Sequence, residues 1–390
     1  MLIVKTALKN ILAGGKRTWL NVAVLSFTLV VMVFYNGIMD GWINEARRDT
    51  HDWETGVGQL WHPQYDRYDI FSLQDAHGTI SDEFMPLIAD ESMTPVIVSQ
   101  GVIYPQQRMQ NVILKGIDPQ QTILKLPSQF LTHSQDEIPA IIGKRMAKAA
   151  RLNAGDRVMM RWRDKNGAFD AKEILIVDVF DTKVPSVDAG QIWLNLSDLR
   201  QMTGMQNEAT YMVMSEKCPI HTNTGQWLYK DLKFLMADLE AMKKGQQIES
   251  AIIFIILLSI TLLAVFDTQV LSIFRRQKEI GTYIALGMTP KKVMGLFVLE
   301  GANYSLLAII SGAVWGTPIL LWMSKKGIKM PGMIDDINVA IGETLYPVYQ
   351  LSTVFTSIII VVVLSAFISY IPARKIAKQN VVSALKGKIV

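Results

Sequence analysis

The chain has few of the residues that catalysis or disulfide bonding would require. Its one cysteine, Cys218, excludes an intrachain disulfide, so any part outside the cytoplasm must fold without one. Its five histidines lack metal-ligand spacing such as His-Glu-x-x-His. Gly143-Lys144 lacks the upstream glycine and the following Ser or Thr of a phosphate-binding loop. We therefore expect no catalytic residue, metal, cofactor or nucleic acid partner, and no ATP hydrolysis by this chain.

Hydrophobic residues make up 50% of the 390 residues, more than a soluble protein usually carries. They are concentrated in four segments, each long enough to cross about 30 Å of hydrocarbon as a helix. The predicted spans are residues 18–40, 250–274, 293–323 and 349–373. The first lacks a small-residue cleavage site after it, so we expect a span rather than a cleaved signal peptide.

Basic residues flank the spans unevenly. They precede the first span, fill the link between the second and third, and follow the fourth. The positive-inside rule then predicts a multi-pass protein of the cytoplasmic (inner) membrane with both termini in the cytoplasm. The cytoplasmic parts are residues 1–17, 275–292 and 374–390, and the outer parts are residues 41–249 and 324–348. Residues 1–17 are predicted to form an amphipathic helix at the membrane surface, the alternative being a disordered basic N-terminus.

The segment 41–249 is large enough for a domain with its own core. Apolar runs bounded by Gly, Pro, Asn and Asp predict strands, and apolar residues at helical spacing predict helices, giving an α+β extracytoplasmic domain. The predicted strands are residues 94–98, 111–114, 157–160 and 173–177, and the predicted helices are residues 137–151 and 225–247. The second helix is expected to continue the second span outward as a stalk, and residues 40–52 to do so for the first span.

Charged residues inside the spans are costly and usually face other helices or water. Asp267 lies in the second span and Glu300 in the third. For Asp267 we consider a transport role and, as the favoured interpretation, a helix-packing hydrogen bond or a span boundary that lies one turn earlier. Glu300 is close to the cytoplasmic end, where Lys291, Lys292 or Arg276 could pair with it.

The link and its neighbours carry a family resemblance. Arg276-Gln277-Lys278-Glu279-Ile280-Gly281, then Ala285-Leu286-Gly287-Met288-Thr289, then Val293 to Glu300 resemble the R-E-I-G, A-L-G-A-T and V-x-x-x-F-x-x-E elements of FtsX-like permeases. Residues 372–385 resemble the family's P-A-x-x-A-x-x-x-P-x-x-A-L ending, with Val381 in place of the second proline. Residues 142–147, 152–158 and 113–119 resemble its extracytoplasmic segments.

This resemblance implies a permease subunit of an ABC transporter of the MacB/LolC/LolE type. In that family two permease subunits form a dimer, each docks on a cytoplasmic ATPase that binds the ATP, and the link between spans two and three contacts the ATPase. The chain length, the missing ATPase domain and Tyr35-Asn36-Gly37-Ile38 favour the lipoprotein-releasing LolC/LolE branch. A separate ATPase, a second permease, membrane lipid, and a lipoprotein cargo or periplasmic carrier are thus the expected partners.

The link itself is predicted to be a coupling helix of about three turns. In such a helix Ile280, Ile284 and Ala285 would make apolar contacts with the ATPase, and Glu279 and the basic residues polar ones. The alternative is a solvated linker held by lipid headgroups. The predicted coupling residues are Arg276, Lys278, Glu279, Ile280, Gly281, Ile284, Ala285, Leu286 and Gly287.

Two other functions stay open on the sequence. One is an FtsX-like regulator whose outer domain activates a cell-wall hydrolase, against which the size of the outer segment counts. The other is export of peptides or toxic compounds together with a periplasmic adaptor.

Overall fold

The computed structural model describes residues 15–132, 137–219, 224–329 and 344–377. Most of the predicted amphipathic helix 1–17, most of the outer loop and the end of the tail lie outside the described residues. The described residues divide into two compact units, one of residues 15–42, 243–329 and 344–377 and one of the described residues between 43 and 242.

Ten α-helices are found in the described residues, four of them long. In chain order they are α1 Gly15–Thr50, α2 Met85–Ala89, α3 Lys144–Ala150, α4 Pro185–Asp188, α5 Leu196–Thr203, α6 Leu232–Leu235, α7 Ala237–Arg275, α8 Gln277–Ala285, α9 Pro290–Lys326 and α10 Leu351–Ala377. A π-helical segment, His51–Thr55, continues α1, and short 3-10 helices lie at Ile70–Gln74, Asp82–Phe84, Pro105–Gln107 and Ser128–Leu131.

Thirteen strands accompany these helices in the described residues. They are β1 Gly58–Trp61, β2 Gly78–Thr79, β3 Met93–Ile103, β4 Gln110–Ile117, β5 Ile138–Gly143, β6 Arg157–Arg163, β7 Phe169–Phe180, β8 Gln191–Asn195, β9 Glu208–Ala209, β10 Tyr211–Met214, β11 Leu228–Asp231, β12 Ile328–Lys329 and β13 Thr344–Leu345.

The helices α1, α7, α9 and α10 are long and apolar enough to cross a membrane. They coincide with the four predicted spans. Both α1 and α7 extend well beyond their predicted spans, to Thr50 and back to Ala237, as unbroken helix. The predicted helical extensions of spans one and two are therefore present.

An apolar cluster holds the span helices together. It joins Val22, Leu25 and Leu29 of α1 to Phe254, Leu258, Leu262 and Val265 of α7, Tyr304 and Ala308 of α9 and Val361 of α10. The hydroxyls of Thr28 and Thr261 are 2.8 Å apart and fix the depth of α1 against α7. Small residues permit close packing, since Gly312 and Gly316 of α9 lie against Ser26 and Val30 of α1.

The second unit contains a nine-stranded mixed sheet in the order β11-β1-β10-β3-β4-β8-β5-β7-β6. The pairs β4–β8 and β5–β7 are parallel. The eleven-residue strand β3 is long enough to pair first with β10 and then with β4. It also pairs with β6 through Gly101–Ile103, so six strands from β3 to β6 close into a ring. The four predicted strands all lie within β3, β4, β6 and β7.

Two helix predictions for this unit are partly wrong. Residues 138–143 form β5 instead of the start of a helix, because this short apolar run pairs with β7 and β8 and is buried throughout. A short apolar run does not distinguish a buried strand from a helix by periodicity alone. Residues 228–231 form β11, paired with β1, and the Asp231 carboxylate accepts from the Phe234 backbone N–H to start a new helix.

A lysine is buried within the sheet. Lys115 of β4 is 6% exposed, and its ammonium lies 4.9 Å from the centre of the Trp193 ring. Burial lowers the pKa of Lys115 to about 8, although the charge of Glu54 opposes that shift. Because burial disfavours the charged ammonium, this residue costs the fold stability at neutral pH.

Candidate coupling site

The link between α7 and α9 folds as the separate short helix α8. Arg276, at φ −101° and ψ 15°, interrupts the helical backbone after α7. At the other end the Gly287 N–H donates to the Ile284 carbonyl and the Met288 N–H to the Tyr283 carbonyl, both at 3.0 Å. This pair of bonds is a Schellman cap, which requires a left-handed residue, and Gly287 has φ +92°. The glycine at position 287 thus specifies the C-terminal end of α8.

One face of α8 is anchored on the span helices. Ile280 is 1% exposed and packs in a cluster with Ile273, Val293, Phe297 and Ala373. These residues come from α7, α9 and α10, so Ile280 ties the link to three spans. Burying an isoleucine side chain stabilises by about 1.5–3 kcal/mol.

Arg276 is the polar part of the same anchor. Its Nε donates to Glu279 Oε2 at 2.9 Å and its Nη1 to Glu300 Oε2 at 3.1 Å. The guanidinium also lies 5.4 Å from the centre of the Phe297 ring, a cation–π distance. Burial disfavours the charged guanidinium, but the bonds and charges of the two glutamates outweigh it and raise the pKa of Arg276.

The opposite face and the tip of α8 are open. Lys278, Glu279, Ala285 and Gly287 are exposed, and Leu286 is 78% exposed. An exposed leucine at a helix end, with a lysine and a glutamate about two turns earlier, presents a small apolar contact with a charged rim. Such a surface suits a groove in another protein.

The structure encloses two of the predicted coupling residues, Ile280 and Gly281, within this chain. Ile280 was expected to contact a partner, but its side chain is enclosed within this chain, and Gly281 beside it is also buried. Ile284 is partly buried against the same cluster. Helical periodicity showed that these residues share a face but not whether that face is turned inward, since the anchoring residues lie on other helices.

The two charged residues within the spans have different surroundings. Glu300 is 2% exposed and pairs with Arg276, one of the three predicted partners. Lys291 and Lys292 are instead exposed. Asp267 is exposed on α7, and no packing hydrogen bond is found for it among the described residues, so its role stays a prediction. It lies in an otherwise apolar exposed stripe with Ile256, Ile260, Leu263 and Leu271.

The sequence pattern did not lead us to the residues on which α8 packs. Val293, Phe297 and Glu300 recur at positions i, i+4 and i+7, which places them on one face of α9. That spacing could have predicted a common anchor. The contribution of Ala373 from α10 had no local sequence signal, because it depends on the packing of a helix about 90 residues away in the chain.

Comparison with known proteins agrees with this arrangement. A family model described as FtsX-like permease C-terminal matches residues 251–381, which include α8 and its anchor. The lipoprotein-releasing system transmembrane protein LolC of Xylella fastidiosa (strain Temecula1 / ATCC 700964) is 20% identical over 320 residues, covering 75% of this chain and 76% of LolC. LolC of Neisseria meningitidis serogroup B (strain ATCC BAA-335 / MC58) is 20% identical over 328 residues, covering 75% and 77%.

Two further matches cover less. The ABC transporter permease YtrF of Bacillus subtilis (strain 168) is 27% identical over 140 residues, which is 33% of this chain and 30% of YtrF. A solved extracellular domain of the ABC-type transporter YknZ from Gram-positive bacteria is 15% identical, covers 47% of this chain and 94% of that domain, and has a TM-score of 0.26, too low to establish a shared fold. The family model, the LolC matches and the four apolar helices agree: residues 251–381 match an FtsX-like permease domain, and the chain is a permease subunit of an ABC transporter.

Proposed function

We propose that this permease transmits the motion of a separate cytoplasmic ATPase through α8 to its spans, and so drives movement or release of lipoprotein cargo outside the membrane. The observation that carries this proposal is the two-sided character of α8. One side is fixed to three spans by Ile280 and Arg276, and the other presents Leu286.

The anchor explains how a push on α8 would reach the spans. The Arg276–Glu300 ion pair connects the start of α8 to α9, and the Ile280 cluster connects its middle to α7 and α10. Close-packed interiors transmit strain because they compress little. A rigid displacement of α8 would therefore move the ends of three span helices together.

The cargo assignment is supported by the names of the relatives. LolC proteins are described as components of a lipoprotein-releasing system and align over three quarters of this chain. We also propose that the protein lies in the cytoplasmic (inner) membrane with both termini inside, because basic residues flank its spans on that side.

We also propose that a second permease subunit covers the exposed stripe of α7 that contains Asp267. Ionisable residues in spans almost always face protein or a water-filled cavity instead of lipid. Ile260 and Leu263 flank this carboxylate on the exposed surface, so contact with another span would remove both the carboxylate and the apolar residues from lipid. Cysteine pairs introduced at Leu263 should cross-link two permease subunits in membranes, whereas cysteines at Val314, exposed on α9, should not. The reverse result would place the second subunit elsewhere.

The coupling role is tested with Leu286→Asp in the complete complex with its cognate ATPase. We expect the variant to insert normally but to lose most of its bound ATPase and its ATP-dependent lipoprotein release. Met109→Asp is the matched control, because Met109 is 66% exposed but lies outside the link. Full ATPase binding and release by Leu286→Asp would refute the proposed contact.

The cargo is tested separately from the contact. Wild-type complex in proteoliposomes should release a fluorescent triacylated lipoprotein when ATP is added, and should not move an unacylated peptide of the same sequence. Transport of the peptide, or binding of a cell-wall hydrolase without lipoprotein release, would favour the alternative functions.

A further inference from the structure

A layer of buried polar side chains crosses the span unit just inside the coupling anchor. It contains Asn21 of α1, Gln269 of α7, Asn303 of α9 and Ser365 of α10, which are 4%, 0%, 6% and 0% exposed. We call these four residues the polar layer. Each comes from a different span helix.

Three contacts place these residues at one depth. The side chains of Thr18 of α1 and Tyr304 of α9 interact. Asn21 follows Thr18 by three residues, and Asn303 directly precedes Tyr304. The Thr28–Thr261 contact aligns α1 with α7, and Asn21 and Gln269 lie seven and eight residues from it, or about 10–12 Å along each helix. Gly301 of α9 lies against Ser369 and the Ser365 carbonyl of α10.

Apolar clusters bound the layer on both sides. Along α7, Gln269 follows Val265 of the span cluster and precedes Ile273 of the coupling anchor. Along α9, Asn303 follows Phe297 of the anchor and precedes Ala308 of the span cluster. The polar layer is therefore enclosed between two apolar regions of the same bundle.

Several polar atoms of the layer have no hydrogen-bond partner among the described residues. They are Asn21 Nδ2, Gln269 Nε2 and Oε1, Asn303 Nδ2 and Ser365 Oγ. Leaving a buried polar group unpaired destabilises the fold, so five such atoms in one layer call for a ligand.

The mixture of atoms identifies the chemical class of that ligand. Three of the atoms are amide donors, which a metal cation cannot satisfy because it takes only acceptors. Gln269 Oε1 needs a donor, which an anion without protons, such as chloride or sulfate, does not offer. Water donates and accepts, and buried waters typically make about three hydrogen bonds each.

We propose that the polar layer binds ordered water molecules that bridge the four spans beside the coupling anchor. Water-mediated bonds can be exchanged one at a time, so a hydrated layer lets neighbouring helices shift at little cost, whereas the packed clusters on either side resist shifting. The inference rests on the contacts of the spans and stands or falls independently of the proposed ATPase contact and cargo.

Hydroxyl-radical footprinting of the full-length permease in nanodiscs tests the proposal, because radicals generated from bound water oxidise neighbouring side chains. Tyr304 is the reporter, at 3% exposed and beside the layer. Tyr211, 4% exposed in the sheet unit, is the buried control, and Tyr68, 70% exposed, is the accessible one. We expect Tyr304 to be oxidised within about tenfold of the rate of Tyr68 if water is bound there.

The variants Gln269→Leu and Gln269→Met remove the polar atoms at one point of the layer. Both should reduce oxidation of Tyr304 severalfold and leave Tyr68 and Tyr211 unchanged, with melting temperatures no lower than that of the wild type. Protection of Tyr304 equal to that of Tyr211 would overturn the proposal. Oxidation of Tyr304 that neither variant alters would overturn it as well, because the water would then come from elsewhere.

Discussion

Removing Arg276 should destabilise the span unit more than removing either of its glutamate partners. The Glu300 side chain is 3% exposed and that of Arg276 is 17% exposed. Arg276→Met would leave Glu300 buried without its cation, which costs about 3–5 kcal/mol. Glu300→Gln would leave Arg276 with Glu279 and access to water, so its cost is the lost charged hydrogen bond, about 1.5–3 kcal/mol.

Replacing Glu279, the other carboxylate bound to Arg276, should destabilise the protein least. The Glu279 side chain is 57% exposed, and exposed ion pairs contribute at most about 1 kcal/mol. The double variant Arg276→Met/Glu300→Gln should be more stable than Arg276→Met alone, because it removes the unpaired carboxylate. A double variant that is more stable than a single variant shows that the two residues form a buried pair and do not contribute independently.

The assay is thermal unfolding of the full-length protein in detergent, followed by tryptophan fluorescence, together with ATPase binding. The expected order of destabilisation is Arg276→Met, then Glu300→Gln, then Glu279→Gln. Strictly additive effects in the double variant, or a Glu279→Gln variant as unstable as Arg276→Met, would refute the reasoning.

Further predictions concern the backbone and the sheet unit. Gly287→Ala should cost about 1–2 kcal/mol, because alanine is strained at a positive φ, while Gly295→Ala, in a helix with open space at its Cβ, should be neutral or slightly stabilising in the same melting assay; equal effects would contradict the Schellman cap. Lys115→Met should stabilise the protein at pH 7 by up to about 3 kcal/mol, since the pKa of Lys115 is lowered from 10.5 to about 8. Its advantage should be fully present below pH 8 and should fade as the pH rises toward 10.5, as melting curves at pH 7 and pH 10 would show; an advantage independent of pH would refute the burial penalty. Gly143→Ala should cost at least about 1–3 kcal/mol, because a Cβ there would lie 2.7 Å from the Asp188 backbone Cα and collide with its carboxylate; an unchanged melting temperature would mean that Asp188 moves freely.

Local signals were sufficient for the parts of this protein whose structure depends on neighbouring residues. Runs of about 20 apolar residues predict spans, because a helix pairs all its backbone N–H and C=O groups internally and so needs no hydrogen bonds from lipid. Gly287 and Pro290 predict the end of α8 and the start of α9, since each residue restricts its own backbone.

Local signals failed where pairing partners are distant. The run at residues 138–143 became a strand because β7 and β8 offer it hydrogen bonds on both sides. The burial of Ile280 depends on Phe297 and Ala373, and the exposure of Asp267 depends on which face of α7 the other spans cover. The pattern of apolar residues in a sequence shows the period of a helix, but it does not show which face of the helix is covered by the rest of the protein.

The sequence by itself determined that this protein has four helices long and apolar enough to cross a membrane, a large domain between the first two and a short charged helix between the second and third. Hydrophobic length and turn chemistry are local properties. The tertiary structure alone decided which residues of that short helix are fixed and which are free. Ile280 and Arg276 face inward and Leu286 faces outward because three helices from separate parts of the chain converge beneath α8 and leave one of its sides uncovered.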